Sequence, residues 1–110
     1  MGTSTGINNT SGSSNIFIGN EAGFNNDSSS NNIFIGRFAG YNHKDTPNEF
    51  KSDDNIFIGN GAGFGNASGE RSVSNLFIGV NAGFSTSGGQ SNVFLGNRAG
   101  YSNTTSSQNV

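Results

Sequence analysis

One ten-residue stretch limits what this chain can fold into more than any other feature. Asn15-Ile16-Phe17-Ile18-Gly19-Asn20-Glu21-Ala22-Gly23-Phe24 returns four more times, starting at Asn32, Asn55, Asn75 and Asn92 and ending at Tyr41, Phe64, Phe84 and Tyr101. The pattern is Asn, aliphatic, Phe, aliphatic, Gly, two free positions, Ala, Gly, aromatic, and no fixed position is broken in any of the five copies. Self-similarity of this kind marks a repeat architecture. The motif keeps its length while the connectors vary: seven residues follow Phe24, thirteen follow Tyr41, ten follow Phe64 and seven follow Phe84. A fixed coil with variable connectors is how a solenoid behaves, because stacking fixes the coil and insertions loop out.

The two ends follow the same spacing. Gly6-Ile7 precedes Asn15 by a seven-residue connector, and Asn109-Val110 follows Tyr101 after another seven. The expected division is a leading partial coil over 1–14, a five-repeat solenoid over 15–108 and the start of a sixth copy at 109–110. Capping repeats at solenoid ends are usually atypical and polar. The favoured expectation is therefore a piece of a longer array, with Met1-Gly2 added ahead of it. The competing expectation is a short protein whose half-coils join end to end in a filament.

Composition narrows the function classes. With 110 residues the chain allows one domain, and apolar residues make up only 30% of it. Such a composition by itself would suggest disorder, but the large apolar residues are concentrated in the repeats. A quasi-one-dimensional stack needs less apolar surface than a globular core, because each coil contacts only its neighbours. The net charge is −2, and the five basic residues (Arg37, Lys44, Lys51, Arg71, Arg98) are scattered. No basic stripe exists for nucleic acid or anionic lipid. The chain has no cysteine, which excludes disulfides and thiolate metal sites. No apolar run exceeds three residues, so no segment is expected to insert in a membrane.

Each Asn-aliphatic-Phe-aliphatic-Gly segment reads as a short strand, since Ile and Phe favour strands and Gly ends the run. The Gly, Asn and Ser content and the lack of a 3.6-residue period argue against helix. Alternation places Ile16 and Ile18 on one face and Phe17 on the other, so both faces are apolar in every copy. One face can line the coil. The other would form an exposed apolar ladder, and such a ladder is rare on a soluble monomer. The residues leave open which face is which.

The stretch from Asn15 to Ala22, with its four later copies, resembles the head repeats of trimeric autotransporter adhesins, the YadA-like β-roll; related repeats occur in phage-tail-fibre-like surface fibres. The resemblance covers nearly the whole chain outside the connectors. It departs from the family in a bulky Phe where a small residue is usual and in longer connectors. It implies a left-handed parallel β-roll, three chains around one axis, and an adhesive or spacer role outside the cell. It also favours the aliphatic pairs inside the coil and the Phe ladder outside. On that basis Phe17, Phe34, Phe57, Phe77 and Phe94 are the expected oligomer interface, and a trimer is the expected assembly.

The search for chemistry yields no catalytic, cofactor-binding or metal site, and no enzyme is expected. His43 is the only histidine and is expected as a solvated loop residue. Asp45, Glu49, Asp53 and Asp54 share its connector, but no calcium-binding spacing is present, so a solvated acidic loop is expected there. Gly59 to Gly63 fails the phosphate-loop spacing. The Asn opening each copy is expected to form an amide ladder along the stack rather than a sugar- or ice-binding surface. If a local recognition site exists, the longest connector is the place for it, through His43, Glu49, Phe50 and Lys51. The fold expected is thus an all-β parallel β-solenoid, or β-roll, of five short-strand coils. The leading function is a structural and adhesive segment of an extracellular or cell-surface trimeric fibre, with a host surface protein or glycan as possible partner. The alternatives are a filament or matrix protein stacking end to end and a monomeric ice- or glycan-binding solenoid.

Overall fold

The computed structural model describes residues 2–45, 51–65 and 71–110. Among them there is no helix. The chain is a parallel β-solenoid of about four turns. Its principal sheet stacks β1 (Ile16–Ile18), β2 (Ile33–Ile35), β3 (Ile56–Ile58), β5 (Leu76–Ile78) and β7 (Val93–Leu95) in chain order. A second, two-stranded sheet pairs β4 (Ser72–Val73) with β6 (Gly89–Gln90). Every pairing in the principal sheet is parallel and in register, Phe on Phe and aliphatic on aliphatic. Connectors of seven, ten or thirteen residues therefore return the chain to the same position on the next coil.

Two corners of each coil use left-handed backbone. The residue before each leading Asn has φ between 56° and 61° (Ser14, Asn31, Asp54, Ser74, Ser91), as does Gln108 before Asn109. The second free position of the motif does the same at Glu21, Phe38, Gly61, Asn81 and Arg98, with φ between 57° and 70°. Short polar residues and glycine tolerate this region best. The backbone ladder continues past the strands: Gly40 N–H donates to Ala62 C=O at 2.9 Å and Gly63 N–H to Ala82 C=O at 2.9 Å. Residues of the leading segment join it, with Gly6 N–H on Ala22 C=O at 2.9 Å.

The orientation that the family resemblance favours is reversed. The Phe rings fill the coil and the aliphatic pairs face out. Phe34, Phe57 and Phe77 are fully buried within the single chain. Successive rings from Phe17 to Phe94 stack at centroid distances of 4.8 to 5.2 Å, with interplanar angles of 7° to 17°. The physical reason lies across the coil, where the Ala-Gly pair of the return leg forms the floor. A Cβ on Gly63 would stand 2.4 Å from Phe57 Cδ2, and Gly63 has φ +61°. A flat ring lying on bare backbone fits this narrow space, and a pair of branched side chains does not. The core is accordingly one column of Phe against one column of Ala.

The Asn at the head of each copy forms the expected amide ladder. Asn32 Oδ1 accepts the backbone N–H of Asn55 at 2.9 Å, and Asn55 Oδ1 accepts that of Asn75 at 3.0 Å. Each side-chain amide then donates to the carbonyl three residues before the next head, as Asn55 Nδ2 does to Ser72 O at 2.8 Å. Asn15, Asn75 and Asn92 repeat both bonds.

Candidate interaction surface

Because the Phe points in, the other side of each strand points out. Two aliphatic columns run up the outside of the principal sheet: Ile16, Ile33, Ile56, Leu76 and Val93, then Ile18, Ile35, Ile58, Ile78 and Leu95. Ile16 is 49% exposed, Ile18 44% and Leu95 62%, so the face is open to solvent at both ends of the stack. The columns contain no polar or charged side chain. On their flanks stand only the Asn ladder and a glycine column, Gly19 to Gly96. A Cβ on Gly59 would lie 2.4 Å from Gly79 O, so only glycine permits the close stacking there. In-register strands lie about 4.8 Å apart, which makes the face roughly 20 Å tall.

A second ordered column stands on the return leg. Phe24, Tyr41, Phe64, Phe84 and Tyr101 stack at 4.8 to 5.1 Å and within 10° of parallel. These rings are half-buried, and in the column each inner ring has both faces covered by its neighbours. Phe38 packs edge-on against Tyr41 and Phe64, and the Arg37 guanidinium lies 4.4 Å over the Phe38 ring. Along the column the inner rings, covered on both faces, offer no platform for stacking a sugar ring.

The residues expected to form the oligomer interface are therefore not surface residues. Phe34, Phe57, Phe77 and Phe94 are buried in the coil and Phe17 packs against the same core. The ordered apolar surface of the principal sheet is the aliphatic pair on either side of each Phe.

The expected recognition loop is also altered. His43 is not a solvated loop residue; it is fully buried, with its ring edge-on to Phe34 at 4.9 Å and Phe57 at 5.5 Å. Burial drives its pKa from 6.5 down to about 4, against the opposing pull of the Ser52 hydrogen bond and the Asp45 and Asp27 carboxylates. Lys51 is half-exposed and ion-pairs with Asp45 at 2.8 Å. Glu49 and Phe50 lie outside the described residues.

Asp45, expected in a solvated acidic loop, is buried where the long connector leaves the coil. It accepts hydrogen bonds from Ser29 Oγ, from Ser28 Oγ at 2.7 Å and from Ser52 N at 2.9 Å. Burial would raise its pKa, but those bonds and Lys51 together hold the carboxyl below its ordinary value. Among the described residues no group of three His, Cys, Asp or Glu could hold a metal ion.

His43 falls in a connector, and the variable connector length hides the coil position it occupies. Counting from each leading Asn would have found its place. The residue eleven positions on is Asn26, His43 and Thr86 in three of the coils, and all three are fully buried. Comparison with protein-family models, curated proteins and solved structures found no match to this chain.

Proposed function

We propose that this chain is a structural and adhesive segment of an extracellular trimeric fibre, and that its chains associate through the outer aliphatic columns. One observation carries the reading: five successive rungs present two aliphatic side chains each, with no charge among them. Natural sheets usually interrupt such a surface with charge or cover it. Identical chains have identical rung spacing, so the side chains of one can mesh with those of another when their coils stand level. Closed point-group symmetry is the usual result for identical chains. The choice of three chains, the cell-surface location and the adhesive role to a host protein or glycan rest on the resemblance to trimeric autotransporter head repeats.

Magnitudes set the strength of association. A face roughly 20 Å tall and two side chains wide covers a few hundred Å² per chain. A standard stable interface takes about 800 Å² per partner. Five rungs alone should associate weakly, and each added coil should strengthen the contact. Sedimentation velocity over a range of concentrations tests this. The expected result is a monomer that converts to a discrete trimer as concentration rises. Replacing Ile35 and Ile58 by Lys should leave circular dichroism unchanged and abolish the trimer. A double-Lys chain that still assembles would eliminate this face as the contact.

A second reading is end-to-end stacking into a filament. Its support is that every coil stacks on the next in the same parallel register, a geometry that a coil of another chain could continue. Open-ended polymers in the same experiment, unaffected by the two Lys substitutions, would favour it over the trimer. A monomer at every concentration would favour the third alternative, a solenoid acting alone.

A further inference from the structure

The interior position eleven residues after each leading Asn holds Asn26, His43 and Thr86 in the first, second and fourth coils. Only the histidine among them can take up a proton near neutral pH. Its ring stands edge-on to Phe34 of its own coil and to Phe57 of the next, at 79° and 86°. It therefore spans the junction between two cores. Its Nε2 lies 2.6 Å from the Ser52 carbonyl oxygen. A carbonyl only accepts, so Nε2 carries the hydrogen. The same oxygen receives Asn32 Nδ2 at 3.1 Å and Asn55 Nδ2 at 3.3 Å, which ties the ring to the asparagine ladder.

We propose that His43 is an acid-operated joint: protonation of its ring opens the stack between the second and third coils while the junction between the fourth and fifth stays closed. The geometry supplies the cause. A cation at this place would be buried against the flank of the stacked Phe34–Phe57 pair, out of reach of water. The carboxylates of Asp45 and Asp27 favour the charged ring, but less than burial disfavours it. Asp45 is already engaged by Lys51, Ser28, Ser29 and Ser52. The strands that carry Phe34 and Phe57 bring no charged side chain to the ring.

The direction of the effect follows from linkage. The ring titrates at 6.5 when released and at about 4 when held in the coil. Between those values the open form carries a proton that the closed form lacks, so closure weakens as the pH falls, by up to about tenfold per pH unit. Above 6.5 and below about 4 this group contributes no slope. Asp45 has its carboxyl held below the ordinary value, so it stays ionised through the window and its own contribution is lost only in stronger acid.

Amide-exchange protection, corrected for the intrinsic pH dependence of exchange, tests the joint. The Ile33 and Gly40 amides bond across the junction of the second and third coils, and the Leu76 and Gly83 amides across that of the fourth and fifth. Between about pH 7.5 and 4.5, protection of the first pair should fall on the order of fifty- to a hundredfold, with the second pair changing far less. His43→Asn places in the second coil the residue that the first coil already uses at Asn26, and it should remove the pH dependence. His43→Thr, copying Thr86, is the second variant. Protection in the wild-type chain that does not change with pH, or falls equally at both junctions, would overturn the proposal. So would the same pH dependence in either variant. Should neither variant fold, the titration of the His43 ring in the folded wild type decides: a midpoint near 6.5 overturns the joint, and one near 4 sustains it.

Discussion

The repeating unit at the scale of single residues is a flat ring on bare backbone. Phe57 lies over Gly63, where a Cβ would come within 2.4 Å of the ring, and the same pairing joins Phe34 to Gly40 and Phe77 to Gly83. Beside this tight column the interior position eleven residues after the leading Asn is less well satisfied in the first and fourth coils, at Asn26 and Thr86. Thr86 Oγ1 is buried without a hydrogen-bond partner, and so is Asn26 Oδ1. A buried hydroxyl with no partner costs about 1–3 kcal/mol relative to leaving it in water. Thr86→Val keeps the branched shape and deletes that hydroxyl. It should raise the urea midpoint, with a gain of roughly 1 kcal/mol. A lowered midpoint would mean that the hydroxyl has a partner when the protein is in solution.

At the scale of elements, the asparagine ladder does what strand edges alone could not. It satisfies the backbone N–H at the head of each strand and stitches the preceding corner to the next coil. Asn55→Ala would leave the buried Asn75 N–H and the Ser72 carbonyl without their partners. Each unmade buried bond costs about 1–3 kcal/mol, so the substitution should remove roughly 2–4 kcal/mol of unfolding free energy. Asn15→Ala, at the half-buried start of the ladder, should cost less than half as much; equal losses in urea titrations would show that the ladder is not graded by burial. The ladder was legible in the sequence because the Asn is invariant among the five copies and adjoins a strand. The coil period and the parallel register were legible for the same reason. The inside and outside of the strand were not, because Ile-Phe-Ile is apolar on both faces and alternation assigns faces without saying which one is buried. The deciding signal stood six residues further on, in the invariant Gly opposite each Phe, which leaves room for a ring and not for a branched pair. The family resemblance points the other way, and the bulky Phe is one of the two features in which this chain departs from it.

At the scale of the whole molecule, the solenoid is a sum of coils and of contacts between neighbouring coils. Its principal extents are 31 × 29 × 19 Å. The thirteen-residue connector tests that additivity most sharply. Its described ends return to standard positions: His43 stands where Asn26 stands one coil earlier, and Ser52 where Ser29 stands. Asn26 and Ser29 are joined by two residues, Asp27-Ser28, whereas His43 and Ser52 are joined by eight. Replacing residues 44–51 by Asp-Ser should therefore leave the register of β2 on β3 unchanged. Two opposing effects accompany it. The shorter closure costs less entropy, about 1 kcal/mol for two halvings of loop length. Against this, the buried Asp45 carboxylate and its bonds to Ser28, Ser29 and Ser52 are lost. The half-exposed Lys51 pair contributes little to that loss. The expected net change is within about 1 kcal/mol in a thermal or urea titration, with amide protection across the junction retained. A chain that loses the junction on trimming would show that the connector is part of the coil and not an insertion on it. With the fold retained, the same variant separates scaffold from recognition: unchanged binding to a surface that the parent chain adheres to would remove Glu49, Phe50 and Lys51 from any recognition role and leave the repeat faces to carry it.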